Sequence, residues 1–501
     1  MTVRSLYIIF TYLSILTKNF KFDLFKKLQH YLLILHNQII EKFLGAFMSM
    51  QSINPATGLT KQTFPVLQTV DIPPILESIV SAQTQWSALD FNQRAVFFQN
   101  LAQVFRQSRE KYANVITEEM GKLLKEARAE IEKCALGCEY YAKHAETFLV
   151  DEQIASDATS SYVAYQPLGV VFCIMPWNFP FWQLIRAAAP AMMAGNAIVL
   201  KHASNVPRCA LALEEAFCDA GFPENTFRSL LITAAQAETI IANEHVAAVT
   251  LTGSTSAGRK VAAVAGQHLK KCVLELGGSD PFIVLDDADI TFATEQAITA
   301  RFQNMGQSCI AAKRFILVGS IADQFVMQFK SLINQLRLGN PKDETTGIAP
   351  MARADLRDDL HAQVEQSVSM GAALIAGGSF IGKQGAYYAP TILDHVKPGM
   401  PAFDEELFGP VAAMVRVENV DEAIALANRT QFGLGASIWT GNADRGEAVA
   451  RKIHAGSTFV NGIVKSDPRL PFGGIKHSGF GRELSYHGIR EFVNIKSVWI
   501  K

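Results

Sequence analysis

The chain has 501 residues, too many for one simple core, so two or three domains are expected. Its 46 basic and 47 acidic residues balance, which argues against a nucleic-acid or strongly acidic partner. Seven cysteines, an odd number without framework spacing, exclude a disulfide scaffold and point to a reducing, cytoplasmic setting.

Residues 1–47 differ from the rest. They are rich in Leu, Ile, Phe, Tyr and Lys, with no Pro and no Gly before Gly45. The apolar run Leu6–Leu16 is too short to span a bilayer before Lys18, and no small-residue cleavage site follows it. A second initiator, Met48 or Met50, stands directly before QSINPATG, where the globular pattern begins. This stretch reads as an upstream-start or optional extension, with a weak amphipathic membrane helix as the alternative.

From Asp71 to Leu149 the pattern is helical, with Ala95, Phe98, Leu101, Ala102 and Phe105 close to a 3.6 period. Residues 112–148 repeat the pattern with Gly121 as the only weak point, and Cys134 and Cys138 read as helix-face packing. Residues 156–166 alternate and suit an exposed strand open to pairing by another subunit. After Pro167 short apolar runs alternate with helical segments: Gly169–Met175, Ala197–Leu200, Ala247–Leu251, Cys272–Leu276 and Pro281–Leu285. That alternation predicts an α/β fold with doubly wound parallel sheets. No G-x-G-x-x-G follows any of these strands. A second alternating block runs from Phe315 to about Phe459, and the tail ends in a strand over Ile495–Ile500.

Six stretches are too particular for core packing. In RFQNMGQSCIAAKR (301–314), Cys309 stands between a Gly-containing turn and a buried strand. A thiol held there, with its own N–H aimed at the same point, suits a nucleophile that needs an oxyanion donor; a buried structural cysteine is the plain alternative. In MPWNFPFW (175–182), Pro176 and Pro180 stiffen a turn at the carboxyl end of a strand, and Asn178 there can donate to an oxyanion or serve the turn. In VLKHAS (199–204), Lys201 follows a strand and can reach ribose hydroxyls or a phosphate. TLTGSTSAGRKV (250–261) reads strand, Gly-Ser turn, helix: Gly253 and Gly258 let the backbone approach, and the helix start offers N–H groups to a pyrophosphate, or is simply capped by Ser254. In LELGGSDP (274–281), Glu275 lies in an apolar run, where a carboxyl must be paired or raised in pKa, as a general base requires. FDEELFGPV (403–411) and LPFGGIKHSGFGREL (470–484) complete the set.

With PWNFP, LTGST, LELGG, N-x-GQ-x-C, EELFGPV and PFGG-x-K-x-SG-x-GRE in order over residues 50–501, the chain resembles the aldehyde dehydrogenase superfamily. KHAS and SDPRLPFGG are similar to its bacterial succinate-semialdehyde dehydrogenase branch. The resemblance implies Cys309 as nucleophile, the Asn178 amide and the Cys309 N–H as oxyanion donors, and Glu275 as the base that hydrolyses a thioester. It implies NADP or NAD, held by Pro176, Trp177, Lys201, Ser204, Gly253, Ser254, Gly258, Leu276, Glu406 and Phe408. Ser204 stands where NAD-preferring members carry an acid, so NADP is expected to be accepted, with NAD use allowed. For the substrate, a carboxylate-ended aldehyde needs a cation, and Arg186 leads, with Ser466 and Arg469 in support. Gln303 stands where some relatives have a second Arg, and Ala311 where some have a regulatory Cys. A broad-range enzyme for uncharged aldehydes is the alternative.

The same resemblance implies a cofactor domain from residues 48–150 and 167–274 and a catalytic domain from 275–471. A small β arm from 151–166 and 472–501 would join subunits in a homodimer or homotetramer. Neither a metal nor a membrane is expected.

Overall fold

The computed structural model describes residues 49–501, so the reading of residues 1–47 falls outside the described residues. A hairpin, Ser49–Ile53 with Thr60–Pro65, opens the described chain. Helices Ile72–Ser87, Phe91–Gln107, Arg109–Met120 and Leu124–Phe148 follow. Asp90 and Gln93 form a reciprocal cap at the start of the second, which fixes its register. Gly121, at φ +83°, ends the third by taking a left-handed conformation that a side chain would oppose. Gly137 passes unbroken through the fourth, where a Cβ would meet Trp182 Cζ3 at 2.9 Å.

The first sheet runs Gly479–Phe480, Lys271–Glu275, Val246–Thr252, Val170–Met175, Ala197–His202, Phe227–Ser229, parallel except for its first strand. The second runs Ala373–Ala376, Thr391–Asp394, Val411–Val417, Ala312–Val318, Asp280–Val284, Gly435–Trp439, Ser457–Val460, again with one antiparallel edge. Central strands are buried at nearly every position and so read as apolar runs rather than alternating ones, as in Val170–Met175; Ala312–Val318, buried throughout, is apolar from Phe315 on and carries the buried cations Lys313 and Arg314 at its start. Pro281–Leu285, read as one of the first series, belongs to the second sheet.

The third sheet is the arm: Val493–Ile500, Ser160–Pro167 and Glu152–Gln153, all antiparallel. Its centre strand is paired by the chain's own C-terminal strand. Residues 472–492, which the sequence reading placed in the arm, pack elsewhere. Gly479 pairs with Glu275 in the first sheet, and Phe472 bridges Glu483. The physical reason is glycine: at Gly479 (φ +111°) a Cβ would strike the backbone of Leu274, so the loop can lie directly on the strand.

Candidate active site

The loop that carries Cys309 is braced from both sides. Asn304 and Met305 hold left-handed φ values of +56° and +52°, ahead of Gly306 at +71°. Strained turns of this kind persist only where the surroundings over-determine them. Here Arg301, fully buried, donates to Ala312 O and Gly306 O at 2.8 Å each. Lys313, also fully buried, donates to Ser308 O at 2.8 Å and Cys309 O at 2.7 Å, and its Nζ lies 3.4 Å from Glu406. Asn304 Nδ2 ties the loop to the turn at the end of the first sheet by donating to Asn178 O at 2.9 Å. Asn178 returns the link, donating through Nδ2 to Gln307 O at 2.9 Å. One of its two amide hydrogens is spent there and the other has no acceptor among the described residues.

Two cavities meet at Cys309. One is lined by Pro176, Trp177, Asn178, Gly253, Ser254, Leu276, Gly277, Glu406 and Phe408. The other is lined by Lys133, Phe179, Trp182, Arg186, Gln303, Ile463, Lys465, Ser466 and Phe472. Gln183 and Cys309 belong to both. A thiol at the junction of two clefts can face a molecule in each.

Burial pushes the Cys309 thiol up to about 12, against the pull of Arg186 and Lys313. Glu275 is buried, and neither of its carboxylate oxygens has a hydrogen-bond partner among the described residues. Desolvation first, and then the nearby Glu483, raise its pKa well above the carboxylate range; Arg186 and Arg482 pull the other way. Glu275 does not line either cavity. Its Oε1 lies over Gly473, where a Cβ would come within 2.6 Å.

The Aldehyde dehydrogenase family pattern matches residues 45–498. The chain belongs to the aldehyde dehydrogenase family. It is 51% identical over 453 residues to the probable succinate-semialdehyde dehydrogenase [NADP(+)] of Synechocystis sp., covering 90% of this chain and 100% of that one. Succinate-semialdehyde dehydrogenase [NADP(+)] 1 of Mycobacterium tuberculosis is 46% identical over 456 residues, with the same coverage. Among solved structures, succinic semialdehyde dehydrogenase from Streptococcus pyogenes in complex with NADP+ superposes with a TM-score of 0.88 at 38% identity, over 90% of this chain and 99% of that one.

In this aldehyde dehydrogenase, seven of the ten residues expected at the cofactor line the first cleft; Lys201, Ser204 and Gly258 do not. Lys201 has no carboxylate partner among the described residues, its Nζ reaching only His202 O at 3.4 Å, and burial lowers its pKa. Ser204 is exposed on the turn after the same strand. Gly258 acts one layer back: a Cβ there would meet both δ-carbons of Leu276 at 2.6 Å. Ser254 caps the Thr255–Gln267 helix by accepting from Ala257 N at 3.2 Å, and it also lines the first cleft. A half-buried lone ammonium, a helix start and an apolar slot of Trp177 against Phe408 (ring centroids 5.7 Å apart, edge to face) fit a ribose, a pyrophosphate and a flat ring.

The substrate residues fare unevenly. Ser466 lines the second cavity, and so does Arg186. Arg186, however, is paired with the buried Glu483 and stacked 4.6 Å over Phe472, so it is not the free cation the sequence reading required. Arg469 is excluded: its side chain is 73% exposed, it does not line the cavity, and it clasps Asp467 at 2.8 and 2.6 Å. Two neighbours in sequence close the fork before it can reach inward. Lys133, Trp182 and Phe472 were missed. Lys133 left a faint sign in sharing a helix face with Gly137, whose missing side chain makes room for Trp182.

Proposed function

We propose that the protein oxidises succinate semialdehyde to succinate, with NADP as its principal cofactor and NAD accepted. The single observation that carries this reading is the junction of two clefts at Cys309, one apolar and phosphate-compatible, the other lined by basic side chains. The names of relatives 46–51% identical support the substrate and the cofactor. Exposed Ser204 after Lys201 supports NADP, because it sets no negative charge against a 2′-phosphate.

In the proposed reaction, the Cys309 thiolate adds to the aldehyde carbon. The oxygen's negative charge is received by the free Asn178 Nδ2–H and the Cys309 N–H. When bound, the nicotinamide supplies the oxidant, accepting the aldehyde hydrogen with its electron pair. The carbon is left as a thioester on Cys309, reactive enough for water. Glu275 rests neutral and buried over Gly473; brought into the more solvated Cys309 cavity it gives up its proton to solvent, and the carboxylate then takes a proton from the attacking water. Lys313 and Arg301 hold the loop still while the charge on sulfur changes.

We further propose a cytoplasmic homo-oligomer. Among the described residues the Val493–Ile500 strand pairs on one side only and exposes Ile495, Trp499 and Ile500, a combination that a second subunit would cover. No helix among the described residues is long and apolar enough to cross a membrane.

The test is kcat/KM on succinate semialdehyde and on butanal, each with NADP and NAD. A preference of tenfold or more for the acid aldehyde, about 1.4 kcal/mol, supports the reading. Equal rates would favour a broad-range enzyme, a second reading for which the neutralised Arg186 speaks.

A further inference from the structure

Lys313 is fully buried, the second residue of the Ala312–Val318 strand and close behind Cys309 in the chain. Its ammonium meets three acceptors: Ser308 O at 2.8 Å, Cys309 O at 2.7 Å and Glu406 Oε1 at 3.4 Å. An ammonium has three hydrogens, so all are spent. Glu406 divides its own two oxygens. Oε1 faces the protein, accepting from Gly278 N at 3.0 Å and pairing with Lys313. Oε2 has no hydrogen bond among the described residues and lies over Gly277, on the wall of the cofactor cleft.

A trans peptide points its C=O and N–H in opposite directions. Ser308 O and the Cys309 N–H belong to one peptide, so turning the oxygen to the buried ammonium turns the N–H away from it. That N–H has no acceptor among the described residues, and Cys309 lines both cavities. A positive charge on the carbonyl also polarises the peptide and makes its N–H a stronger donor.

The other charges nearby leave this place to Lys313. Asp280, opposite Ala312 on the neighbouring strand, accepts through Oδ1 from Gly435 N at 3.0 Å. Arg301 donates to the carbonyls of Ala312 and Gly306. Among the described residues Lys313 is the one cation within 4.0 Å of Glu406. Burial raises the Glu406 carboxyl; Lys313 is the first influence holding it down, ahead of the Gly278 N–H and Arg301. Burial lowers the Lys313 ammonium, which Glu406, Asp280 and Cys309 support and Arg301 opposes.

We infer that Lys313 is a positioning residue shared by the two clefts: it aims the Cys309 N–H at the developing oxyanion and holds Glu406 as a carboxylate for a cofactor hydroxyl. The inference rests on the proposed reaction and deepens it, since one buried charge then sets both the nucleophile loop and the cofactor.

The test is a double-mutant cycle of Lys313→Met and Glu406→Gln, read by NADP binding and by single turnover. Methionine keeps an unbranched stem. The Kd for NADP comes from quenching of protein fluorescence, and cofactor reduction is followed at saturating NADP with succinate semialdehyde. Alone, Lys313→Met is expected to raise Kd tenfold or more at pH 7. Without its partner Glu406 ionises only at higher pH, so the ratio of variant to wild-type Kd should shrink from pH 6 to pH 9. In the Glu406→Gln background the same change should alter Kd less than threefold, because no charge is left to hold. In both backgrounds it should slow cofactor reduction tenfold or more, because the N–H is no longer aimed. The double variant removes both members of the pair and so should fold even where Lys313→Met alone does not. A Kd loss equal in both backgrounds, or a ratio flat with pH, overturns the link to Glu406 and leaves Lys313 a support for the fold. An unchanged rate of cofactor reduction in the Glu406→Gln background overturns the oxyanion role. If wild type forms no reduced cofactor, the proposed reaction falls, and the binding cycle still decides the link.

Discussion

Arg186 and Glu483 form an ion pair on the wall of the cavity beside Cys309, with their side chains only 3% and 2% exposed. Pairs this deep contribute little net stability over an apolar replacement, yet breaking one strands a buried charge. Glu483→Gln should therefore cost about 3–5 kcal/mol in denaturant unfolding. It should also lower the Glu275 pKa, since Glu483 is the largest charge raising it. The pH dependence of thioester hydrolysis would then move to lower pH in rapid-quench measurements.

Glu275 and Glu483 both have carboxyl pKa values held above the ordinary range, by burial in each case. A carboxyl raised in the folded state binds its proton there more tightly than in the unfolded chain. Its contribution is complete below the unfolded value, about 4.3, and is lost as pH rises above it. Stability should fall as pH rises above about 4.3, and Glu275→Gln should flatten that slope in denaturant titrations.

Cys309 offers a simpler pH experiment. With the thiol at about 12, the free enzyme should react slowly with iodoacetamide at neutral pH. The rate should climb about tenfold per pH unit through pH 9 without a plateau, because only the thiolate reacts. A plateau near pH 8 would mean that the thiol is not desolvated in this way.

At the cofactor cleft, Gly258→Ala should push Leu276 toward the Gly253–Ser254 turn, since the new methyl would meet both Leu276 δ-carbons. The expected result is a KM for NADP raised about tenfold with the fold retained, and circular dichroism checks the latter. Ser204→Glu makes the complementary change. A carboxylate three residues after Lys201 should repel the 2′-phosphate and shift preference from NADP to NAD by about tenfold or more in kcat/KM.

The backbone-driven parts of this site were legible in the sequence. Gly258, Gly277, Gly473, Gly474 and Gly479 each mark a close approach, and the order of motifs carried Cys309, Asn178 and Glu275 to one region. Long-range charge pairing was not legible. Nothing in the local sequence says that Arg186 meets Glu483, nearly three hundred residues later, or that Arg469 turns back on Asp467. Lys133 sits on a helix 333 positions from its partner Ser466, and only tertiary packing against Trp182 joins them. The tail misled in the same way: residues 472–492 belong with the first sheet because glycines there let the loop lie on Leu274 and Glu275.

The most direct test of the whole account is a single-turnover experiment on Glu275→Gln with NADP and succinate semialdehyde. Without the base, hydrolysis should stall after oxidation. The prediction is a rapid burst of reduced cofactor, close to stoichiometric with subunits, and a succinyl group found by peptide mass spectrometry on Cys309. Undiminished steady turnover, or an adduct on any other residue, would contradict it.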